Sequence, residues 1–265
     1  MVLYMAKQKT SAIIRRQDRI AEDIYDLRLE TELAQQAGAG QFVSVYLPDA
    51  SRLLPRPISI CGIDRRAGEV RLVYRIAGGG TALLSGMKAG ERLDVLGVLG
   101  NGFPLERADG KRVLVMGGGI GIPPMLLSAK MLQERGRALG VTAVLGYRSE
   151  TFLLNEFESV CPVIVATEDG SRGSRGNVMD AMKEHKAVAD TIFACGPMPM
   201  LRAVKKLAEA NNMEAYISLE ERMACGVGAC LGCVTKTVGI DAHSMVRNSR
   251  ICTDGPVYDA RDVEI

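Results

Sequence analysis

Apolar and polar side chains alternate along the first hundred residues. Every second residue is apolar over 25–29 and again over 70–76, a period typical of strands that bury one face. Glycine and proline interrupt the pattern at 38–40, 55–57, 78–80 and 100–104, so the strands between them are short. Residues 1–105 are therefore predicted to form an antiparallel β-barrel.

A different pattern begins near residue 106. Short apolar runs at 111–116, 141–146, 163–167 and 191–195 predict strands, and helical stretches follow at about 123–138, 178–186 and 199–211. Strands that alternate with helices favour a mostly parallel sheet with right-handed crossovers. We therefore predict a multidomain chain, with an α/β parallel-sheet domain at 106–214 and a small cysteine-rich module at 215–265.

Composition narrows the class of protein. The chain has 265 residues, 47% of them hydrophobic and 24% charged, and a net charge of +2. No basic block points to nucleic acid, and no uncharged run approaches the ~18 residues that span a membrane. An odd count of seven cysteines and a start without a secretory signal predict a reducing cytoplasm. Cys61 and Cys161 are predicted to be buried small apolar residues.

Four cysteines near the C-terminus carry the clearest chemical signal. Their C-x4-C-x2-C…C arrangement matches the plant-type [2Fe–2S] ligand spacing and consists of Cys225, Cys230, Cys233 and Cys252. Glycines between the first three allow the backbone to curl and to point N–H groups at the cluster. Zinc fits less well, because it usually takes two closely spaced pairs, and disulfides fit poorly in a reducing compartment.

A glycine-rich turn follows the strand at 111–116. It precedes a helix that begins near Pro123, so its backbone N–H groups could face a pyrophosphate, and its glycines are Gly117, Gly118, Gly119 and Gly121. The strict G-x-G-x-x-G fingerprint is not met, and a purely structural tight turn remains an alternative. Arg148 stands after the second strand, where an acidic residue would hold a ribose 2′-hydroxyl, so a 2′-phosphate also stays open.

Four shorter motifs are informative through their order along the chain. They are Arg56-Pro57-Ile58-Ser59, Val73-Tyr74-Arg75, Gly80-Thr81 and Cys195-Gly196-Pro197. Each alone has an ordinary explanation as an exposed arginine, a packed tyrosine or a turn. Together with the glycine turn and the cysteines, they resemble the ferredoxin reductase superfamily over essentially the whole chain. That resemblance implies that the first motif meets the flavin and its phosphates. It implies that the second motif comes next in the same flavin site. It further implies that Gly-Thr binds the FAD pyrophosphate and that Cys-Gly-Pro lies beside the nicotinamide.

A closer resemblance rests on longer stretches. Residues 218–233, 252–258 and 116–125 resemble the electron-transfer subunits of class B dihydroorotate dehydrogenases. This resemblance implies an FAD barrel, a nicotinamide domain that uses NAD(H) and a C-terminal [2Fe–2S] module. It also implies a partner, an FMN-containing dihydroorotate dehydrogenase catalytic subunit, in a heterotetramer of two chains of each kind.

The resemblance predicts an oxidoreductase subunit of pyrimidine biosynthesis. Electrons taken from dihydroorotate at the partner's FMN would cross the cluster to FAD and reduce NAD+. We identify no catalytic residue, because the chain shows no acid/base pair for an organic substrate, and Cys195 is expected only to shape the nicotinamide pocket. Two alternatives remain: the flavin subunit of a bifurcating NADH-dependent ferredoxin:NADP+ oxidoreductase or sulfide dehydrogenase, and a redox-sensing binding module.

Overall fold

The computed structural model describes residues 7–49, 51–240 and 245–265, so the start of the chain used in the secretory-signal prediction lies outside the described residues. The first unit is a closed antiparallel barrel with the strand order β1-β2-β5-β4-β3-β6. Its strands are β1 Gln8–Ala21, β2 Ile24–Glu30, β3 Phe42–Tyr46, β4 Arg56–Asp64, β5 Glu69–Arg75 and β6 Arg92–Leu99, and the helix α1 Gly79–Gly86 lies between the last two.

The predicted alternation holds along β2. Leu27 and Leu29 point into the barrel core and are fully buried, as a strand with one buried face requires. Asp26 departs from the pattern, because it is 8% exposed at a position expected to face solvent. Its carboxylate is paired with Arg71 of β5, which satisfies the buried charge.

The second unit is built on a parallel sheet, as predicted. Strands β7 to β12 pair in parallel in the order β10-β9-β8-β7-β11-β12. The strands are β7 Arg112–Gly118, β8 Gly140–Tyr147, β9 Val163–Thr167, β10 Ser174–Arg175, β11 Thr191–Cys195 and β12 Glu214–Ser218. The helices are α2 Ile122–Arg135, α3 Leu154–Glu158, α4 Val178–Glu184 and α5 Met198–Ala210.

The tail of the chain adds three short strands, β13 Val234–Lys236, β14 Asn248–Arg250 and β15 Val257–Asp259. β13 and β14 form a two-stranded sheet, whereas β15 pairs antiparallel with β12 and becomes the edge of the large sheet. The backbone N–H of Asn101 also donates to the Gly255 carbonyl at 2.6 Å. The cysteine-rich tail is thus joined to both larger units, a connection that its sequence did not indicate.

Helix α2 packs between the barrel and the sheet. Leu126 lies in the core beneath the sheet, and its neighbour Leu127 lies in the barrel core. Cys61 and Cys161 are buried as predicted, and burial raises their pKa values to about 12 and about 11. Burial therefore keeps both thiols protonated near neutral pH. Across the described ranges, no helix is long and apolar enough to span a bilayer.

Candidate functional site

The three barrel motifs converge on one cavity of about 340 Å³, which we call the flavin cavity. The barrel, the glycine turn and the tail all contribute to it. Its lining includes Arg56, Pro57, Ile58, Ser59, Val73, Tyr74, Arg75, Thr81, Ile120, Ser218, Glu220, Met223 and Pro256. Residues from opposite ends of the chain therefore meet at one place, although the motifs predicted this only for the barrel residues.

The Gly-Thr motif forms the N-terminus of helix α1 instead of an isolated turn. The Thr81 hydroxyl accepts hydrogen bonds from the backbone N–H groups of Ala77 and Gly78, at 2.8 and 3.2 Å. The Arg56 guanidinium covers Gly80 so closely that a Cβ there would stand 2.2 Å from Arg56 Nε. A cation over a helix N-terminus, with no side chain between them, suits a phosphate group.

A second arginine stands at the same helix end. The Arg52 guanidinium would lie 2.8 Å from a Cβ on Gly79, and it pairs with Asp49 at 3.4 Å. Sequence reasoning missed Arg52, because an isolated arginine before the motif looks like any solvated charge. Its position over α1 appears only when the loop before β4 is folded back.

Tyr74 forms part of the cavity wall beside these cations. Its ring stacks on Tyr25 with 5.8 Å between centroids, and its hydroxyl donates to the side-chain carbonyl of Gln17 at 2.9 Å. Burial raises the pKa of Tyr74 above its ordinary value. The side chain is therefore a neutral, fixed aromatic surface against which a flat ring could pack.

The glycine turn and the Cys-Gly-Pro turn are in direct contact. A Cβ on Gly121 would lie 2.4 Å from the Cys195 carbonyl oxygen, and one on Gly118 would lie 2.7 Å from Met200 Sδ. A Cβ on Gly117 would lie 2.9 Å from Ile122 Cα. Close packing alone therefore explains these three glycines, which supports the structural alternative. Their role at a nucleotide stays a prediction.

Gly119 differs from the other glycines of the turn. It has φ +54, and it lines a second cavity of about 250 Å³ with Arg75 and Arg148. We call this space the nucleotide cavity. Arg75 therefore borders two cavities, although the sequence motif had placed it only at the flavin.

Cys195 lies beneath this region and is 0% exposed. Burial raises the pKa of its thiol, and the Glu220 carboxylate acts in the same direction. Gly196 and Pro197 follow it at the turn into α5. A buried neutral thiol can shape a pocket wall but cannot serve as a ready nucleophile.

Glu220 is a residue that sequence reasoning did not select. It lines the flavin cavity, and although the residue as a whole is exposed, reduced solvation of its carboxyl group raises the pKa of that group. In the sequence it is one of two adjacent glutamates, 220 and 221, which resemble an ordinary solvated pair. Only the folded position of the chain after β12 brings it to the cavity.

The four predicted cluster ligands gather in two pairs. The thiol of Cys225 lies beside that of Cys230, and the thiol of Cys252 lies beside that of Cys233. Backbone N–H groups of Val227 and of Cys230 donate to Cys225 Sγ, each at 3.4 Å. Although burial opposes them, such hydrogen bonds lower the pKa of Cys225 to about 6, which favours a thiolate.

The loop around these thiols suits a cluster with two irons. The thiols stand in two pairs, Cys225 with Cys230 and Cys233 with Cys252, which is the arrangement that two irons would need. Gly226 and Gly228 have φ +68 and +81, and the Gly228 N–H donates to Cys252 Sγ at 3.2 Å. This donor pattern is what sulfur ligands of a cluster need.

An unpaired hydroxyl supports the same interpretation. Ser44 of β3 is 0% exposed, and its Oγ has no hydrogen-bond partner within the described part of the chain. It would stand 3.1 Å from a Cβ on Gly226, next to Cys225. A buried donor without a partner is costly, and a sulfur acceptor in the cluster loop would satisfy it.

Comparison with known proteins gives a consistent result. Residues 220–264 match the family model of the iron–sulfur cluster binding domain of dihydroorotate dehydrogenase B. A protein from Geobacillus sp. (strain WCH70), named dihydroorotate dehydrogenase B (NAD(+)), electron transfer subunit, is 44% identical over 98% of this chain and 99% of its own length. The chain belongs to this family of electron transfer subunits. A member from Bacillus caldolyticus is 46% identical over 92% of this chain and 94% of its own length.

Solved structures confirm the fold expected for the dihydroorotate dehydrogenase B electron transfer subunits. A chain of an NADH-dependent reduced ferredoxin-NADP oxidoreductase superposes with a TM-score of 0.84 at 28% identity, covering 98% of this chain and 91% of its own. Phthalate dioxygenase reductase superposes with a TM-score of 0.61 at 17% identity, covering 92% of this chain and 94% of its own. The second similarity concerns the fold alone.

Proposed function

We propose that this chain is the electron transfer subunit of an NAD-linked dihydroorotate dehydrogenase, working with an FMN-containing catalytic subunit. The observation that carries the proposal is that the chain passes from the flavin cavity directly into the cysteine loop. Met223 lines that cavity, and Cys225 follows two residues later in the chain. Bound nicotinamide would exchange a hydride, FAD would exchange electrons in pairs or singly, and the cluster would pass them singly.

The chain's own residues bind and orient these groups. Arg56 and the N-terminus of α1 neutralise the FAD pyrophosphate, and Tyr74 with Val73 forms an apolar wall for the flavin ring. Cys225, Cys230, Cys233 and Cys252 hold the [2Fe–2S] cluster. N–H groups of the cysteine loop stabilise charge on the ligand sulfurs.

The substrate chemistry belongs to the partner. Apolar side chains are exposed around the cysteine loop, with Val227 40%, Leu231 62% and Val234 41% exposed, which suits a protein interface. We infer a heterotetramer of two chains of each kind, with the cluster close to the subunit contact. A reducing cytoplasm is the expected location, because the cluster needs free thiols and all seven cysteines are free.

Reconstitution tests the proposal. The isolated chain should contain FAD and about two irons, and should oxidise NADH with a dye acceptor while leaving dihydroorotate unchanged. Mixed with an FMN-containing catalytic subunit, it should confer NAD-dependent dihydroorotate oxidation. Cys230→Ser should keep its flavin and NADH:dye activity but lose this coupling. Dihydroorotate turnover by the isolated chain would falsify the division of labour.

A second candidate is the flavin subunit of a bifurcating ferredoxin:NADP+ oxidoreductase. It is favoured by the superposition at TM-score 0.84 over 98% of this chain. The co-purifying chain distinguishes the two, because a glutamate-synthase-like flavoprotein would support bifurcation and an FMN enzyme the dihydroorotate reaction. Absence of any NADH oxidation by flavin-loaded protein would instead support a redox-sensing module.

A further inference from the structure

The nucleotide cavity lies between the barrel and the parallel sheet. The β1–β2 turn at 21–24 forms one side, and the loop after β8 at 147–150 forms the other. Gly119 lies between them, at the start of the turn that leads into α2. The cavity therefore opens at the carboxyl ends of β7 and β8, where parallel sheets commonly bind ligands.

Two arginines enter this cavity without protein partners. Arg75 is the last residue of β5, and Arg148 follows β8. Within the described residues, neither guanidinium makes a hydrogen bond or an ion pair. Arg71, which also lies between the barrel and the sheet, is by contrast paired with Glu156. Unpaired guanidinium groups facing one cavity suit an anionic ligand.

Arg75 reaches the glycine turn itself. Its Nη2 would stand 3.6 Å from a Cβ on Gly119, so the absence of a side chain there leaves the guanidinium next to the turn. The Ile76 N–H donates to the Asp23 carbonyl at 2.8 Å, which fixes the end of β5. The position of Arg75 is therefore set by the barrel rather than by the loop.

The loop that carries Arg148 is also fixed to the barrel. The backbone N–H of Glu22 donates to Glu150 Oε2 at 2.8 Å. This bond spans the cavity rim two residues after Arg148. The two guanidinium groups thus border the cavity from opposite units, and this hydrogen bond joins those units at its rim.

We propose that Arg75 and Arg148 clamp the pyrophosphate of the nicotinamide dinucleotide over Gly119. The inference rests on the proposed function and adds the residues that orient its nucleotide. A pyrophosphate carries two negative charges, which two guanidinium groups match, and a planar guanidinium bonds two oxygens at once. Arg75, which also borders the flavin cavity, then lies against both dinucleotides.

This role separates Arg148 from recognition of a 2′-phosphate. Among the described residues that line the cavity, Arg75 and Arg148 are the cations, and Glu22, Asp23 and Glu150 are the acids. Once the pyrophosphate has taken both guanidinium groups, a further phosphate would meet carboxylates. The cavity thus suits a dinucleotide that has no phosphate other than its pyrophosphate.

Inhibition of NADH:dye reduction by nucleotide fragments tests the clamp. ADP-ribose carries the pyrophosphate, whereas adenosine carries no phosphate. Arg148→Ala should weaken ADP-ribose inhibition and raise the KM for NADH about 10- to 100-fold, the usual range for lost charged hydrogen bonds. Adenosine inhibition should stay within about twofold of the wild-type value. Arg75→Ala, measured with its flavin bound, should show the same changes in ADP-ribose inhibition and in the KM for NADH.

Controls separate this clamp from the proposed function as a whole. Arg148→Ala should keep its FAD, iron and coupling to the catalytic subunit at saturating nucleotide, because Arg148 lies outside the flavin cavity. Arg137→Ala changes an exposed arginine beyond the far end of α2, 68% exposed, and should leave every constant unchanged. The clamp is wrong if Arg148→Ala weakens adenosine and ADP-ribose equally, or affects NADPH but not NADH. Failure of the wild-type protein to oxidise NADH would instead overturn the proposed function.

Discussion

Arg71 on barrel strand β5 binds both carboxylate oxygens of Glu156 on helix α3, with Nη1–Oε2 at 2.7 Å and Nη2–Oε1 at 2.8 Å. The same guanidinium donates from Nε to Asp26 at 2.9 Å. Its side chain is 12% exposed. One arginine therefore joins the barrel to the parallel-sheet unit.

Replacing Arg71 and replacing Glu156 should lower the free energy of unfolding by unequal amounts. Arg71→Met leaves Asp26, itself 8% exposed, as a buried charge without a partner, and should cost about 3 kcal/mol of unfolding free energy. Glu156→Gln removes a carboxylate that is 37% exposed, so solvent screening reduces its cost to about 1 kcal/mol. Thermal denaturation of the holoprotein measures both.

A matched double variant tests the explanation. Arg71→Met with Asp26→Asn removes the unpaired charge and should recover part of the stability lost in Arg71→Met. If the double variant is less stable than Arg71→Met alone, the buried charge is not the cause of the loss.

The same ion pair predicts a pH dependence. The Arg71 hydrogen bond, against the opposing effect of burial, holds the pKa of Glu156 below its ordinary value of 4.5. The pair therefore stabilises the fold fully above pH 4.5, and this contribution is lost as the pH falls through the lowered pKa. The difference in melting temperature between wild type and Glu156→Gln should be constant at neutral pH and shrink below pH 4.5. A difference that grows on acidification contradicts this sign.

Much of the fold followed from local pattern. Strands β9 and β11 have the predicted bounds, 163–167 and 191–195, because each is a short apolar run whose burial dominates its structure. β15 was missed: it has three residues, and its pairing with β12 depends on the folded tail. Local periodicity contains no information about such a contact.

The site was predictable where motifs carry its residues and not where distant segments meet. Arg56, Tyr74 and Thr81, taken from separate motifs, line one cavity, and their role at FAD stays a prediction. Ser44 looks like a core strand residue and Glu220 like a surface charge, because their significance depends on the cysteine loop and on the cavity. Arg75 was assigned to one cofactor, although its position borders two cavities.

FAD retention should depend on Arg56 more than on Arg52. Both guanidinium groups lie over the N-terminus of α1. Arg56 donates to the neutral backbone carbonyls of Leu54 and Pro55, whereas the charge of Arg52 is offset by the Asp49 carboxylate. Arg56→Ala should weaken FAD binding about 10- to 100-fold, as expected for charged hydrogen bonds to phosphate, and Arg52→Ala should do so less. Flavin absorbance after dilution and gel filtration gives the measurement, with exposed Arg66 as the control substitution. Release of FMN in place of FAD would contradict the assignment.

Ser44 should influence the midpoint potential of the cluster. Its buried hydroxyl without a partner lies against Gly226, and a hydrogen bond to a ligand sulfur stabilises the reduced, more negative state. Ser44→Ala should therefore shift the midpoint potential to a more negative value while iron and flavin contents stay unchanged. A redox titration followed by electron paramagnetic resonance measures it. Ser44→Thr, which keeps the hydroxyl, should restore the potential, and an unchanged potential in Ser44→Ala would exclude the bond.

Glu168 is expected to determine the preference for NAD. The acidic residue that would hold a ribose 2′-hydroxyl was expected after β8, where Arg148 stands instead. Glu168 follows β9, the neighbouring strand, and its N–H donates to the Tyr147 carbonyl at 3.2 Å, so its backbone lies at the carboxyl end of β8. Within the described chain its carboxylate accepts no hydrogen bond, whereas Asp169 accepts from the N–H and the hydroxyl of Ser171. A free carboxylate at this edge can accept from a ribose 2′-hydroxyl and repel a 2′-phosphate.

Glu168→Gln should therefore raise the KM for NADH about 10-fold, the usual effect of losing a hydrogen bond to a charged group, and lower the KM for NADPH. Asp169→Asn changes the adjacent carboxylate, which is already bonded to Ser171, and it should leave the ratio of the two kcat/KM values unchanged. Stopped-flow reduction of the bound flavin by each nucleotide provides the comparison. If Glu168→Gln lowers kcat/KM equally for NADH and NADPH, this carboxylate stabilises the turn and does not distinguish the two riboses.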